Sequence, residues 1–405
     1  MKQLIFVACC ALTVVSAKAQ TSDSLIMSQM SEQGVRFTQG NEVRLIMSGK
    51  EKFELMFEDI RQAQQSVHLE YFNFRNDSIA SLLFDILREK RKEGVEVRAM
   101  FDGFGNDSNN QPLRKEHLQK LRDDSISIVE YDPIRFPWVN HIWPRDHRKI
   151  VVIDGKIAYT GGMNVADYYI VGTPQVGEWR DTHCRIEGPA VNDLQAIFAR
   201  IWRRNAGEQV ADAKYYRGTP AGNKTIGIIN REPRVLNSIM RQFYVKAIDD
   251  ARDSIKLINP YMTLIPSVKK ALKRAARRGV KVEIMLSAKF DVPLTPDIVY
   301  HNAHHLMKAG VHIWIYQPGF HHSKIMMVDG RFCTVGSANL DARSLRFDFE
   351  ENALIINPET TRELNDMFER DKLKSRPLTD EEWKSFRTGW QKFRGWLGSL
   401  LTPLI

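Results

Sequence analysis

The stretches HRKIVVIDG at residues 147–155 and HSKIMMVDG at residues 322–330 share one pattern. In each, a histidine stands two positions before a lysine, so the two side chains lie on the same face of a β-strand. The apolar residues that follow fit a buried strand, and Asp-Gly predicts a tight hairpin turn. The chain therefore contains two copies of one strand–turn motif, one in each half.

The returning strands end in GGMN at residues 161–164 and in GSAN at residues 336–339. A hairpin brings the end of its second strand back beside the start of its first. We therefore expect Asn164 to lie near the first His–Lys pair and Asn339 near the second.

This set of side chains suits the transfer of a phosphodiester group. One histidine can attack phosphorus and hold the group covalently, while a second protonates the leaving oxygen and later deprotonates the acceptor. Lysine ammonium groups and asparagine amides can bind the non-bridging oxygens. One histidine cannot do both tasks, so the repeat predicts a single site shared by the two halves. The sequence has no His-Glu-x-x-His motif and no carboxylate cluster suited to paired metals, so we expect no metal and no other cofactor.

The repeat extends into the residues before each motif, where helix, strand, helix and strand recur in the same order. The predicted elements are residues 53–65, 66–72, 79–92 and 94–101 in the first half, and 240–251, 254–261, 268–278 and 279–286 in the second. Strands that alternate with helices predict α/β layers with largely parallel strands, and the motif hairpins make the sheets mixed. The predicted fold class is therefore α/β: two similar sandwich halves related by a pseudo-twofold axis, with helices flanking mixed sheets.

Composition divides the chain into six segments. They are a signal peptide at 1–19, a polar linker at 20–50, a first α/β half at 51–210, a connection at 211–228, a second half at 229–375 and a C-terminal amphipathic helix at 376–405. Gly, Pro and Asn cluster in the connection, as is typical of a boundary between units.

The N-terminal segment has a basic start, an apolar run of about a dozen residues and an Ala-x-Ala end, which are the marks of a secretory signal. We expect cleavage after Ala19, with an uncleaved membrane anchor as the alternative. Removal of Lys2 and Lys18 lowers the formal charge by two, from +9 to +7. A basic protein favours an anionic partner, either lipid headgroups or nucleic acid. Cys184 and Cys333 remain, and we expect them to be buried free thiols.

Large apolar residues recur at intervals of three and four in the C-terminal tail, with basic residues between them. The apolar positions are Trp383, Phe386, Trp390, Phe393, Leu397, Leu400, Leu401 and Leu404. This pattern predicts a basic amphipathic helix that lies on a membrane surface, and packing of the same face on the protein's own core is the alternative.

The pattern H-x-K-x4-D-x6-G-x-x-N, present twice, resembles the phospholipase D superfamily. The stretches WRDTHCRIEGPAV at residues 179–191 and HHSKIMMVDGRFCTVGSANLDARSLRFDFE at residues 321–350 are similar to bacterial cardiolipin synthases. The resemblance implies phospholipase D-type sandwich halves. It also implies transfer of a phosphatidyl group from a phospholipid to an alcohol through a phosphohistidine, without a metal cofactor.

Individual roles follow from the same resemblance. The implied catalytic set is His147, Lys149, Asp154, His322, Lys324 and Asp329, with the two aspartates supporting the motifs. Asn164 and Asn339 join the lysines as phosphate binders. We choose His147 as the nucleophile, and the near-symmetry leaves the reverse assignment open.

Five further residues are candidates for the site. Asp181 and Glu350 follow the two motifs at similar offsets, and we expect them to orient the imidazoles by accepting a ring N–H. A surface ion pair is the alternative for both. Ser337 either donates to the phosphate or packs as a small residue. Tyr71 and Tyr261 stand at matching strand ends, where they line the cleft or are half-buried strand aromatics.

Bacterial cardiolipin synthases commonly begin with two membrane-spanning segments, whereas this chain has only the signal-like segment. We therefore expect an exported, periplasmic monomer that associates peripherally with a membrane. The expected substrate is a phospholipid such as phosphatidylglycerol, and the acceptor is a lipid alcohol, another alcohol or water. Acceptance by water would make the enzyme a phospholipase D.

An exported nuclease is a further alternative. Such enzymes resemble a single copy of the motif that dimerises, whereas this chain carries both copies and an aromatic tail, so we expect no nucleic-acid partner. A non-catalytic lipid-binding module would require a broken motif, and neither copy is broken.

Overall fold

The computed structural model describes residues 20–133, 143–233 and 238–402. The predicted signal peptide at residues 1–19 lies outside these ranges. Within them, no helix combines the length and the apolar character that crossing a membrane requires.

The first half contains the following strands and helices. The strands are β1 (Phe37–Ile46), β2 (Ser66–Tyr71), β3 (Glu96–Asp102), β4 (Ser127–Tyr131), β5 (Ile150–Ile153), β6 (Ile157–Gly161), β7 (Glu178–Arg180) and β8 (His183–Glu187). The helices are α1 (Ser22–Glu32), α2 (Gly49–Arg61), α3 (Ser78–Lys92), α4 (Gly103–Asp107), α5 (Lys115–Asp123), α6 (Tyr168–Val171) and α7 (Val191–Ala206).

The second half repeats much of this order. Its strands are β9 (Lys224–Arg231), β10 (Ser254–Ile258), β11 (Lys281–Ser287), β12 (His312–Tyr316), β13 (Gly319–His321), β14 (Ile325–Val328), β15 (Phe332–Gly336), β16 (Glu350–Ile356) and β17 (Ser375–Pro377). Its helices are α8 (Ile239–Asp250), α9 (Pro266–Arg277), α10 (Thr295–Met307), α11 (Pro358–Lys372), α12 (Asp380–Phe386) and α13 (Gly389–Leu401).

Each predicted helix and strand of the two repeats is present, and the differences are at the ends. The helix predicted at 79–92 begins one residue earlier because Asp77 caps it and accepts a hydrogen bond from the Ala80 N–H. The strand predicted at 254–261 ends at Ile258, ahead of Pro260, which lacks the N–H that a strand ladder needs.

One continuous sheet runs through both halves in the order β17-β12-β11-β10-β14-β15-β16-β9-β1-β8-β6-β5-β2-β3-β4. Strands β2, β3 and β4 are parallel, as are β10, β11 and β12. The motif hairpins β5–β6 and β14–β15 are antiparallel. Within this sheet, parallel pairing is therefore confined to strands joined by helix crossovers, and the sheet as a whole is mixed.

The segment at 20–50 is not a linker. It forms α1, which packs on α8 of the second half, and β1, which pairs with β8 on one side and β9 on the other. The segment at 211–228 likewise contains the start of β9, which pairs with β16. Strands β1 and β9 occupy equivalent places at the centre of the sheet and join the two halves to each other.

Two short parallel pairings also connect the halves. Strand β7 pairs with β13, and a single bridge joins Asp146 to Phe349. The His322 N–H donates to the Arg180 carbonyl at 2.6 Å, and the His147 N–H donates to the Phe349 carbonyl at 3.1 Å. The residues before each motif histidine therefore run alongside the residues before the candidate carboxylate of the opposite half.

The β7–β13 pairing depends on a glycine. A Cβ atom at Gly319 would lie 2.0 Å from the Glu178 carbonyl oxygen. Because that oxygen belongs to the backbone, a side chain at this position would force the two strands apart. A glycine is thus needed where β13 approaches β7.

The tail forms two helices, so the single helix predicted at 376–405 is wrong. Helix α12 ends at Phe386, and α13 begins with a capping box in which Thr388 and Gln391 exchange hydrogen bonds. Trp383 and Phe386 pack against the core of the second half.

Cys184 and Cys333 are both buried and free, as the sequence predicted. Both belong to the apolar cluster between the central sheet and the helices α7 and α11.

Candidate active site

Each motif histidine bonds a carboxylate from the opposite half. The Nδ1 atom of His147 lies 2.9 Å from Glu350 Oε1, and that of His322 lies 2.7 Å from Asp181 Oδ2. The carboxylates are fully buried, whereas 17 % of the His147 side chain and 8 % of the His322 side chain are exposed. A carboxylate accepts the Nδ1 proton, so the lone pair of each neutral ring is on Nε2.

The crossed pairing follows from the two parallel connections between the halves. Strand β7 leads into Asp181, and its partner β13 leads into His322. In the same way, Phe349 precedes Glu350, and its bridge partner Asp146 precedes His147. Backbone register thus places each carboxylate beside the opposite histidine.

The motif lysines lie next to the imidazoles. Lys324 Nζ is 2.9 Å from His322 Nε2 and 2.6 Å from the His322 carbonyl oxygen, while Lys149 Nζ donates to the His147 carbonyl. The charge of Lys324 lowers the pKa of both histidines. Since one lysine acts on the imidazoles of both copies, the two motifs form a single site.

Burial controls the protonation of this site. Burial lowers the pKa of His147 to about 4, although the charge of Glu350 opposes the shift. Burial, together with the charge of Lys324, also lowers the pKa of His322 to about 4. Burial also lowers the pKa of Lys149 to about 8 and that of Lys324 to about 7. At neutral pH both imidazoles are therefore neutral, which is the nucleophilic form.

The paired carboxylates remain ionised. Burial alone would raise their pKa values, but the charge and hydrogen bond of His322 lower the pKa of Asp181 to about 2. The same two effects from His147 lower the pKa of Glu350 to about 2. Each carboxylate can therefore accept the Nδ1 proton across the neutral range.

The two motif asparagines are almost buried. The Oδ1 atoms of Asn164 and Asn339 have no hydrogen-bond partner among the described residues. A buried polar atom without a partner needs an explanation, and a ligand bound beside the motif would supply one. Rotation of either amide would exchange the acceptor for two donors, as phosphate binding requires.

Asp154 and Asp329 lie outside the site, although the sequence placed them in the catalytic set. Each follows the far end of its motif strand, roughly 20 Å along the chain from the histidine at about 3.3 Å per residue. Asp154 accepts three backbone N–H groups of residues 64–66, and Asp329 accepts those of residues 252–254. Asp154 therefore anchors the start of β2 to its motif turn, and Asp329 anchors the start of β10 in the same way.

We expect Asp154→Asn and Asp329→Asn to lower the free energy of unfolding by about 1–3 kcal/mol each, because an amide group cannot accept the same three N–H groups. Urea unfolding measures this loss. The kcat of the folded variants should stay within about twofold of the parent value. The exposed Asp253→Asn is the control, and a large loss of kcat without loss of stability would contradict the anchoring role.

Ser337 is fully buried and lies behind Glu350. Its hydroxyl contacts the carboxyl groups of Glu350 and Glu351 at 2.5 and 2.8 Å. This placement does not fit the predicted contact with phosphate. Ser337 is instead part of the support of the His147 partner.

The two predicted cleft tyrosines differ from each other. Tyr71 is buried in the core of the first half, where its hydroxyl lies 3.5 Å from Met56 Sδ. The Tyr261 ring is 6.0 Å from the His322 ring, and its hydroxyl donates to Asp291. Asp154 binds the Ser66 N–H and Asp329 binds the Ser254 N–H, so these two serines are equivalent positions of the repeat. Counted from them, Tyr71 is equivalent to residue 259 and not to Tyr261.

The sequence interpretation missed the aromatic wall of the site. Phe72 contacts the His147 ring edge-to-face at 5.0 Å, and Trp179 and Phe320 each lie 5.4 Å from the His322 ring. A signal was present, because Trp179 and Phe320 each stand two residues before a predicted site residue and thus share its strand face. Within the described ranges, no three His, Cys, Asp or Glu side chains converge to form a metal-binding cluster.

Fold and site together define an enzyme in which two pseudo-symmetric halves share one pair of histidines. The family model described as cardiolipin synthase, PLD-like domain matches residues 56–202 and 244–372. The cardiolipin synthase of Oceanobacillus iheyensis is 34 % identical over 370 residues, which are 91 % of this chain and 76 % of that protein. Cardiolipin synthase 1 of Staphylococcus epidermidis is 35 % identical over 386 residues, covering 94 % of this chain and 78 % of that protein.

Solved structures show the same fold. The phosphatidylserine synthase of Haemophilus influenzae superposes with a TM-score of 0.72 at 14 % identity, over 94 % of this chain and all of that one. The polyphosphate kinase of Porphyromonas gingivalis gives a TM-score of 0.57 at 14 % identity, over 84 % of this chain and 49 % of that one.

The chain belongs to the cardiolipin synthase, PLD-like domain family. It is a phosphatidyltransferase-class enzyme of the phospholipase D superfamily.

Proposed function

We propose that this protein transfers a phosphatidyl group from phosphatidylglycerol to the hydroxyl of a second lipid, through a phosphohistidine. The observation that carries the proposal is the pair of neutral imidazoles in one site, each oriented by a buried carboxylate and accompanied by a lysine. The similarity to cardiolipin synthases supports the choice of substrate.

In the first step, His147 Nε2 attacks phosphorus, forming an N–P bond while the bond to the glycerol oxygen breaks. His322 supplies the proton that this oxygen takes up. A bound phosphodiester anion favours the protonated form of His322 that this step needs. In the second step, His322 accepts the proton of the acceptor hydroxyl, whose oxygen attacks phosphorus and releases His147.

The lysines and the motif asparagines complete the mechanism. Lys149, Lys324, Asn164 and Asn339 would donate to the non-bridging oxygens and stabilise their charge in the transition state. We assign His147 as the nucleophile, and its neutral state at rest fits that role. Its greater exposure, 17 % against 8 % for His322, supports the same assignment.

Incubation of the purified protein with labelled phosphatidylglycerol tests the proposed reaction. Formation of a diphosphatidyl lipid with release of free glycerol is the expected result. Phosphatidic acid as the sole lipid product would make water the acceptor. Cleavage of DNA with no change in the lipid would overturn the proposal and favour a nuclease.

The pH dependence of kcat/KM should reflect the ionisation of Lys149 and Lys324. We expect kcat/KM to fall below about pH 4, where His147 becomes protonated and loses the lone pair that attacks phosphorus, and above about pH 7–8, where Lys324 and then Lys149 lose their charge. A bound phosphate stabilises both charges, so the alkaline limb of kcat should lie at higher pH.

Lys149→Arg is the matched variant for this profile, because arginine stays protonated and leaves the alkaline limb to Lys324 alone. Initial rates with a soluble short-chain phospholipid measure both limbs. A kcat/KM that stays level up to pH 9 would contradict the assignment.

We also propose that α13 lies on the membrane surface. Its apolar side chains are exposed, including Trp390 at 64 % and Leu400 at 57 %. The opposite face of α13 packs on α10 through glycines: a Cβ atom at Gly395 would lie 2.3 Å from the Asp297 carbonyl oxygen, and one at Gly398 would lie 2.6 Å from Ile298. The glycines dock the helix, and the aromatic face remains available to lipid.

Ion pairs hold the tail in this orientation. Arg394 bonds Asp297 at 2.6 Å, and Arg387 forms an ion pair with the same carboxylate. The tail is thus fixed to α10 by charge and close packing, without use of its aromatic face.

We expect Trp390→Ser combined with Trp396→Ser to weaken binding to phosphatidylglycerol vesicles at least tenfold, since burial of apolar surface of this size is worth about 1.5–3 kcal/mol per side chain. Stability should be unchanged because both side chains are exposed. Leu373→Ser removes another exposed apolar side chain, 88 % accessible, as the control. Equal vesicle binding by the parent and the double variant would argue against the membrane role.

Export through the segment at 1–19, with a periplasmic location, completes the proposal. N-terminal sequencing of the protein from an expressing Gram-negative host tests it. A mature start at Gln20 in the periplasmic or membrane fraction supports export, and an intact Met1 in the cytoplasm would contradict it.

A further inference from the structure

A chain of hydrogen bonds continues behind the His147–Glu350 pair. Glu350 Oε2 lies 2.5 Å from Ser337 Oγ, and Ser337 Oγ lies 2.8 Å from Glu351 Oε2. The other Glu351 oxygen accepts from the Thr160 hydroxyl on β6 of the first half. Glu351 and Ser337 have no exposed surface, so these contacts have no water to replace them.

The number of protons in this chain is constrained. Ser337 Oγ carries one proton, already accepts the Glu351 backbone N–H at 3.0 Å, and lies between two carboxyl groups. If both carboxyl groups were ionised, one of them would face a hydroxyl lone pair inside the protein, which is strongly unfavourable. A proton on Glu351 removes this conflict, because Glu351 then donates to Ser337 and Ser337 donates to Glu350.

We infer that Glu351 is a neutral carboxylic acid that acts through Ser337 to position Glu350, and thereby His147. The inference deepens the proposed function, since the role of His147 rests on that function. Glu351 does not touch the substrate and is a positioning residue.

The charged and titratable groups around Glu351 agree with this state. Burial raises the pKa of Glu351 to about 8, with the hydrogen bonds of Thr160 and Ser337 opposing the shift and the charge of Glu350 adding to it. Lys149 faces the same carboxyl group and favours ionisation. The carboxyl group of Glu70 and the thiol of Cys184 also face it, from β2 and β8.

Among the described residues of the first half, no equivalent chain of hydrogen bonds is present. The place of Ser337 is taken there by Gly162, where a Cβ atom would lie 2.3 Å from Asp181 Oδ1. The place of Glu351 is taken by Thr182, whose hydroxyl bonds Ser323 Oγ at 2.8 Å. The extended support therefore serves His147 alone and distinguishes the two histidines of an otherwise symmetric site.

Infrared difference spectroscopy of the full chain tests the neutral acid without any substrate. We expect the spectrum of the parent at pH 6 to contain a protonated-carboxyl band that Glu351→Gln lacks. Subtraction of the variant spectrum is needed because burial also raises the pKa of Glu70 well above its usual value. A difference spectrum between the parent and Glu351→Gln with no protonated-carboxyl band would overturn the inference, whatever reaction the enzyme catalyses.

Measurement of kcat distinguishes a positioning role of Glu351 from a role in packing alone. Glutamine can donate to Ser337 and accept from Thr160 as the neutral acid does, so Glu351→Gln should keep kcat within about threefold of the parent. Glu351→Leu has a similar volume and no hydrogen bonds, and we expect it to lower kcat by about 10–100-fold, as loss of a supporting group typically does. Equal losses in both variants would contradict the inference.

A Ser337→Gly variant tests whether Glu351 acts on Glu350 through the Ser337 hydroxyl. Ser337→Gly reproduces the arrangement of the first half and disconnects Glu351 from Glu350. In this background Glu351→Leu should cost less than about threefold in kcat, because coupled residues are not additive. An undiminished cost would show that Glu351 acts by another route and would overturn the inference.

Discussion

Replacement of His147 or of His322 by alanine is expected to lower phosphatidyl transfer by about 10⁴-fold or more. Each variant removes a group that takes part in bond making or proton transfer, and losses of this size are typical for such groups. Both rings lie in the shared site, and each bonds a carboxylate through Nδ1, so that Nε2 carries the lone pair. The measurement is the rate of diphosphatidyl lipid formation from labelled phosphatidylglycerol.

The exposed His312→Ala is the matched control and should retain full activity. His321→Ala is a sharper comparison, because this buried neighbour of His322 bonds Asp371 instead of a residue of the site. It should cost far less than His322→Ala. Substantial transfer by His147→Ala or His322→Ala would contradict the shared two-histidine site.

A substrate with an activated leaving group separates the two histidines. A nitrophenolate needs no proton to leave, so His322→Ala should still release one equivalent of nitrophenol and accumulate the covalent intermediate. His147→Ala should release none. The reverse pattern would make His322 the nucleophile while leaving the two-step mechanism intact.

Glu350→Gln and Asp181→Asn are expected to lower activity by about 10²–10⁴-fold, since an amide can hold the wrong imidazole tautomer. Because each carboxylate bonds the histidine of the opposite half, each variant should impair that histidine and not the one of its own half. With the activated substrate, Asp181→Asn should behave as His322→Ala does, although Asp181 belongs to the half that carries His147. Glu350→Gln should behave as His147→Ala does.

The exposed Asp253→Asn serves as the control for these carboxylate variants. Circular dichroism and urea unfolding establish that the variants are folded. If Asp181→Asn lost the nitrophenol burst and Glu350→Gln kept it, the carboxylates would serve the histidines of their own halves, contrary to the structure.

Local pattern was enough to predict the repeated units. The motif strands, the hairpin turns and the flanking helices depend on residues close in sequence, so their periodicity and caps identify them. The same holds for Lys149 and Lys324, which share a strand face with their histidines.

Pairing between strands that are distant in the chain could not be predicted from local sequence patterns. Strand β1 was interpreted as part of a linker because the segment at 20–50 is polar and has few apolar clusters, while its partners, β8 and β9, lie far away in the chain. Sequence offsets identified Asp181 and Glu350, but the crossing depends on the register of two short parallel pairings between the halves. The sequence grouped Asp154 and Asp329 with the catalytic residues as supports of the motifs, but a motif does not record what its residues contact, here the backbone at the starts of β2 and β10.

The β1–β9 pairing at the centre of the sheet also has a mechanical consequence. Backbone hydrogen bonds cross the boundary between the halves, and a hinge at that boundary would have to break them. The two halves are therefore held together at the centre of the sheet while the site between them works. In the proposed mechanism, both lipids react in turn at this one site, and glycerol leaves before the second lipid reacts, which is the ordering of a ping-pong reaction.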